Sequence, residues 1–317
     1  MKRYRHPSLF IRLLLVLLIL VSQVWLVSAA APPDARPSAE SVHAAFLRPA
    51  AATDVQIGYR VTLDAKDIVS RSKPAKPPAA TATGILGTPC TGQRYALVMG
   101  INDYPGSASD LSYCVADAWA VRDVLVAYGF PSANITFLQD RQVTREAIDA
   151  FTQSRTFAAE DEIFVFYSGH GSKGRADDYD TLKTDQAIVV CNATYTGFDS
   201  IWDGEMKRLF SAVPTNRIVF AFDSCYAGGM TVLGRTGGEV VMACTANALS
   251  YESSAYGGGH GAFTWFFFCE GIAARKAELS TDDNDIVTIE EAFDYAKPLL
   301  GSQTPVLNDG LENDFAP

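Results

Sequence analysis

From Arg94 onward, short runs of consecutive apolar residues alternate with longer stretches whose apolar positions recur every three or four residues. The runs are Arg94–Gly100 (RYALVMG), Ile135–Asp140 (ITFLQD), Glu162–Gly169 (EIFVFYSG), Arg217–Asp223 (RIVFAFD) and Glu239–Ala246 (EVVMACTA). They lack a polar alternate face, so they read as strands buried on both sides. Gln186–Cys191 (QAIVVC) predicts one further short strand. Helical spacing covers Cys114–Phe130, Thr144–Phe157, Trp202–Val213, Gly261–Ala277 and Thr288–Leu300. Thr144 offers an N-cap for the second of these, and Gly129 stops the first. Strands alternating with helices predict an α/β fold: a mostly parallel central sheet flanked by helices on both faces.

The pattern before Arg94 is different. Residues 31–92 are rich in Ala, Pro and Ser and lack sustained periodicity. They read as a linker or pro-segment, largely disordered, in which Asp54–Val69 (DVQIGYRVTLDAKDIV) adds at most a short strand or hairpin. Residues 1–30 begin with the basic Lys2, Arg3, Arg5 and Arg12, continue through the apolar run Leu13–Val27, and end in small residues. That order predicts a signal peptide cleaved near Ala29–Ala31, and so a secreted, periplasmic or cell-envelope protein. The alternative is an uncleaved anchor, which would be the chain's one route to a membrane. The catalytic candidates fall in the remaining domain, residues 93–317.

Composition narrows the partners. The chain has 317 residues, 48% hydrophobic and 20% charged, with a formal charge of −10. Losing four basic residues and no acids with the first thirty takes −10 to about −14. A surface of that sign repels nucleic acid and anionic lipid. The six cysteines form no CxxC pair, which argues against a structural zinc site or a thioredoxin-like motif. Cys191, Cys244 and Cys269 lie in apolar runs, where buried free thiols are common.

Two strand ends carry candidate chemistry. The run Phe164–Gly171 (FVFYSGHG) ends on His170, and Ile218–Gly229 (IVFAFDSCYAGG) delivers Cys225. In open α/β sheets, sites form outside the carboxyl ends of the strands. If the two strands are parallel neighbours, an imidazole and a thiol meet at one rim. A thiol near its ordinary pKa of ~8.5 is only slightly ionised at neutral pH, and an adjacent imidazole can take its proton and pass it to a leaving amine. Small residues flank both groups, and the amides of Gly171 and Cys225 are candidates for an oxyanion hole. Taken singly, a cysteine after a strand is usually a buried small hydrophobe, and a His-Gly pair usually a turn; it is the two at equivalent strand ends that point to chemistry. His260, in Gly257–Phe263 (GGGHGAF), is a second candidate base, but a glycine loop positions a base poorly.

At these residues the chain resembles the caspase-like cysteine peptidases, most closely the metacaspases. YSGHG and DSCYAGG are similar to that family's two catalytic signatures, ALVMGINDY to its first strand, and DLSYCVADAWAVRDVL to the helix that follows. ACTANALSYESS, the later GAFT and SQTPVLNDG resemble segments of its small subunit. The resemblance covers residues 94–317. It implies the three-layer caspase-hemoglobinase fold, with His170 as general base and Cys225 as nucleophile in a thioester mechanism that needs no cofactor. The implied specificity pocket comprises Cys114, Asp117, Ser168 and Asp223. Its two acids suit protein or peptide substrates with Arg or Lys at the cleavage site. Two alternatives stay open: an asparaginyl, legumain-like specificity, and a non-catalytic binding or scaffold module on the same fold. Many relatives bind calcium through aspartates. Asp185 and Asp203 match two of those positions, whereas Gly204 and Val232 stand at two others. The ligand set therefore looks incomplete, and no metal is assigned. Arg235, on a stretch expected to be exposed, reads first as an ordinary surface arginine and second as a self-cleavage point.

Overall fold

The computed structural model describes residues 38–71, 90–278 and 286–311. The expected signal peptide lies outside these residues, as do 31–37 and 72–89 of the Ala/Pro-rich stretch and the acidic residues around Asp282. Among the described residues no helix is long and apolar enough to cross a membrane.

In chain order, an N-terminal arm comprises α1 (Ala39–Phe46), β1 (Ala52–Gly58), β2 (Val61–Thr62) and α2 (Ala65–Arg71). Then follow β3 (Arg94–Gly100), α3 (Cys114–Ala127), β4 (Ile135–Gln139), α4 (Arg145–Gln153), β5 (Glu162–Ser168), β6 (Gly171–Ala176), β7 (Asp185–Cys191), β8 (Phe198–Trp202), α5 (Asp203–Ser211) and β9 (Ile218–Asp223). The last part holds β10 (Glu239–Met242), β11 (Tyr251–Ser253), β12 (His260–Gly261), α6 (Ala262–Thr264), a π-helical run Trp265–Ala273, α7 (Ile289–Ala296) and β13 (Val306–Asp309). The caps are those the sequence suggests: Thr144 accepts a hydrogen bond from the Ala147 N–H, and Gly129, at φ +93°, ends the turn after α3.

The central sheet has the order β13-β10-β9-β5-β3-β4. Every neighbouring pair in it is parallel except β13 with β10. Along each strand, successive residues feed opposite cores. Leu97, Met99 and Val165 pack with Ile148, Phe151, Met206 and Phe210 on one face. Ala96, Val98 and Phe166 pack with Val121, Leu125, Phe268 and Ala292 on the other. This is the three-layer sandwich with a mostly parallel sheet that the unbroken apolar runs predict. A second, antiparallel sheet, β1-β6-β7-β8, leaves the carboxyl end of β5, and a small third sheet, β12-β11-β2, stands beside it.

The arm corrects the reading of residues 31–92. Its described part, 38–71, is folded and belongs to the compact unit that runs from Ser38. Periodicity misses it for a physical reason. β1 and β2 are held by backbone ladders to β6 and β11, which need no apolar side chains, and most of β1 is exposed. α1 buries only Val42 and Phe46. The fully buried Arg145 secures that helix, donating to the Phe46 carbonyl at 2.8 Å and lying 5.0 Å from its ring centre. All six cysteines are free thiols.

Candidate active site

The register of β5 against β9 fixes the rim. Ser168 pairs with Asp223 across the parallel ladder, and the Gly169 N–H still donates to the Asp223 carbonyl at 3.3 Å. His170 and Cys225 each lie two residues beyond that last pair, so both leave the sheet at equivalent positions on adjacent strands. Gly171 is pressed onto the same turn: a Cβ built there would stand 1.8 Å from the Cys225 carbonyl oxygen. Tyr226, directly after Cys225, holds a left-handed backbone at φ +61°, a strain typical of a turn that presents one side chain.

His170 is held from several directions. Its Nε2 lies 2.8 Å from the Ser109 carbonyl, which can only accept, so Nε2 carries the proton and Nδ1 presents a lone pair. Its backbone N–H donates to the Tyr104 hydroxyl at 2.9 Å, and its carbonyl accepts from the Tyr167 hydroxyl at 2.8 Å. The Tyr104 ring lies 4.7 Å from the imidazole. Sequence reasoning did not single out Ser109, Tyr104 or Tyr167. Burial lowers the His170 pKa to about 4, helped by the nearby Arg60 charge and opposed by the Ser109 and Gly58 carbonyls. Burial also pushes the Cys225 thiol up to about 11, against the Ser250 N–H donated to its sulfur and the Arg60 charge. Both groups are therefore neutral near pH 7 in this closed arrangement.

The four pocket candidates converge, and they are already filled. The Arg60 side chain, from the turn between β1 and β2, is completely buried among them. Its Nη1 donates to Cys114 Sγ (2.9 Å), Ser168 Oγ (3.0 Å) and Asp117 Oδ2 (3.2 Å). Its Nη2 donates to the Asp223 carbonyl at 2.8 Å and forms an ion pair with Asp223 Oδ1. A third acid, Glu252, lies 3.8 Å from Nη1. The carboxylates are braced from behind. Asp117 Oδ1 accepts from the Gly261 N–H and lies 3.0 Å from His260 Nδ1. Asp223 accepts from the Ser250 hydroxyl and from both the N–H and the hydroxyl of Thr264. His260 is thus engaged with the pocket wall through Asp117. Arg60 and Glu252 were missed because neither belongs to a strand-end signature.

A second polar cluster lies on the antiparallel sheet. Asp178, Asp180, Asp185 and Asp203 each bring a carboxylate oxygen within 4.8 Å of the others. Sequence matching found Asp185 and Asp203; Asp178 and Asp180 come from the turn joining β6 to β7 and supply two further carboxylates. Asp178 Oδ1, Asp185 Oδ1 and Asp203 Oδ2 are buried without a hydrogen-bond partner. Burial raises the pKa values of Asp178 and Asp203, and the Asp180 and Asp185 carboxylates add to both shifts. Orphaned hard oxygens that repel one another fit a divalent cation such as calcium.

Comparison with known proteins follows the same outline. The model of the caspase domain, family Peptidase C14, matches residues 93–315. Metacaspase-1 of Saccharomyces cerevisiae is 33% identical over 176 residues, 48% of this chain and 39% of its own. Metacaspase-1 of Cryptococcus neoformans is 34% identical over 151 residues, covering 44% of this chain and 32% of the relative. Metacaspase-7 of Arabidopsis thaliana is 30% identical over 148 residues, covering 43% and 35%. The aligned region thus spans well under half the length of each of these relatives.

Proposed function

The chain belongs to the caspase-domain family of cysteine peptidases, and from that premise we propose that it is an endopeptidase cleaving protein substrates after Arg or Lys. The observation that carries this reading is the seat of Arg60. A guanidinium lies fully buried against Asp117, Asp223 and Glu252, with Cys114 and Ser168 taking further N–H groups. Burial opposes the charge, and the field of Asp223, Cys114, Asp117 and Glu252 more than offsets it. A pocket that holds one arginine of its own chain in this way is built for a basic side chain and against an acidic or neutral amide one.

In the proposed mechanism the Cys225 thiol gives its proton to His170 Nδ1, and the thiolate adds to the carbonyl carbon after the basic residue. The amides of Gly171 and Cys225 face the developing oxyanion. His170 returns the proton to the amine nitrogen as the C–N bond breaks, leaving a thioester. Water, deprotonated by His170, adds to the thioester; the carboxylic acid departs and the thiol is restored. Ser109, through Nε2, keeps Nδ1 as the reactive nitrogen throughout. Asp178, Asp180, Asp185 and Asp203 would hold calcium, which supplies charge balance there and takes no part in these bond changes.

The test is hydrolysis of fluorogenic peptides ending in Arg, Lys, Asp or Asn. Cys225→Ala is expected to abolish turnover. Asp223→Ala should lower kcat/KM on Arg peptides at least ~30-fold, the loss of a buried charge-pair partner being worth roughly 2–5 kcal/mol. Preference for Asn or Asp peptides, or full activity in either variant, would reject the reading.

A further inference from the structure

Resting on the basic-pocket reading, we propose that residues 58–63 form an intramolecular inhibitor bound in reverse polarity, which fills the arginine pocket yet withholds the Arg60–Val61 bond from cleavage. The side chain of Arg60 sits where that of a cleaved residue would, but the backbone runs the other way. β2 pairs with β11 in parallel, Val61 opposite Tyr251 and Thr62 opposite Glu252. The Val61 N–H donates to the Ser250 carbonyl at 3.1 Å and the Leu63 N–H to the Glu252 carbonyl at 2.8 Å. On the other side of the same α-carbon, the Arg60 N–H donates to His170 Nδ1 at 3.3 Å.

Cleavage after Arg60 makes Val61 N the leaving nitrogen, and that atom must receive its proton from His170. In this structure it is bonded to Ser250 instead, and the amide facing His170 is the one preceding Arg60. Reversing the chain about a fixed arginine side chain exchanges those two positions. The residue's own N–H would then meet the Ser250 carbonyl, and its carbonyl carbon would meet the dyad. A cleavable chain therefore runs antiparallel to β11, and the arm runs parallel. The bond that does lie near the dyad, Tyr59–Arg60, has the wrong residue on its acyl side. Tyr59 is 50% exposed, with its ring centre 5.1 Å from that of the imidazole, and it has no place in the acidic pocket. Gly58 packs so closely that an added Cβ would lie 2.7 Å from the Cys225 Cβ, so the arm also covers the thiol. Thr62 Oγ1 donating to Glu252 (2.9 Å) and Ser253 Oγ donating to the Leu63 carbonyl (2.8 Å) anchor the far end.

The experiment uses the full chain and three readouts: iodoacetamide alkylation of Cys225 followed by mass spectrometry, hydrolysis of an Arg-ending peptide, and mass spectrometry of new N-termini. Arg60→Gln should alkylate at least tenfold faster than wild type, with Arg60→Lys between them. Val61→Pro keeps the charge but removes the N–H donated to Ser250, and it should accelerate alkylation several-fold; it remains informative if Arg60→Gln folds poorly. No fragment beginning at Val61 should form in the wild-type chain during prolonged incubation. Equal alkylation in all four chains would overturn the proposal, as would a Val61 fragment appearing at a rate independent of protein concentration. Faster alkylation with no hydrolysis of Arg or Lys peptides would sink the specificity reading and leave the reversed inhibitor standing.

Discussion

Cys225 illustrates how much of a residue's reactivity belongs to its cover. Its thiol is pushed up to about 11, first by burial. At pH 7 that leaves a thiolate fraction of about one in ten thousand, against a few per cent for an open thiol. A raised pKa on an acid means the neutral form is favoured while the cover is in place. Alkylation of Cys225 in the wild-type chain should therefore still be climbing through pH 8, 9 and 10, with its midpoint near pH 11. With the arm displaced in Arg60→Gln, burial is relieved, and the midpoint should fall toward the ordinary thiol range. A wild-type profile already flat above pH 9 would contradict the shift. His170 and Cys225, to which the proposed mechanism assigns the chemistry, stand out in the sequence because each follows an apolar run that reads as a buried strand. Arg60 is not legible. It sits in Asp54–Val69, a stretch too short to show periodicity, and its role depends on a chain direction that no local pattern records.

Among the elements, the decisive joint is where β5 passes into β6. β5 belongs to the central parallel sheet and β6 to the antiparallel one, and only Gly169 and His170 separate them. Gly171, the first residue of β6, crosses the Cys225 carbonyl at a distance that admits no side chain. Gly171→Ala should therefore force β6 away from β9. The expected cost is roughly 2–4 kcal/mol in denaturant unfolding, from overpacking and backbone shifts, with peptide hydrolysis lost even in the fraction that remains folded. A variant with wild-type stability and turnover would show that the two turns are not locked together. The inner strands of the central sheet are readable because both their faces are buried, which writes unbroken apolar runs into the sequence; β13, at its edge and only partly buried, is not. β6 and β8 are not, and β1 is readable only as the short strand that Asp54–Val69 allows, because edge and half-exposed strands hold on through backbone groups and carry little side-chain signal.

On the scale of the whole molecule, charge is the organising quantity. The chain carries a formal −10, and part of that excess is concentrated where Asp178, Asp180, Asp185 and Asp203 meet. Asp203 opens α5, Asp185 opens β7, and Asp178 lies in the turn between β6 and β7, so the cluster joins three elements around one repulsive centre. A bound divalent cation would replace mutual repulsion with attraction and stabilise the folded chain by mass action. At a hundredfold excess over Kd the gain is about 2.7 kcal/mol. For a domain of this size that corresponds to a rise in Tm of roughly 5–10 °C. Thermal unfolding with calcium, with magnesium and with chelator reads this without reference to turnover. Calcium should raise Tm, chelator should reverse the rise, and Asp203→Asn should abolish it while making the metal-free protein no less stable, since burial and the neighbouring acids already favour the uncharged form of that carboxyl. If calcium leaves Tm unchanged, or shifts Asp203→Asn as much as wild type, the four carboxylates are an acidic surface and not a cation site. Asp178 and Asp180 are not marked in the sequence because what brings them to Asp185 and Asp203 is where the turn between β6 and β7 folds back, and the spacing along the chain does not fix that.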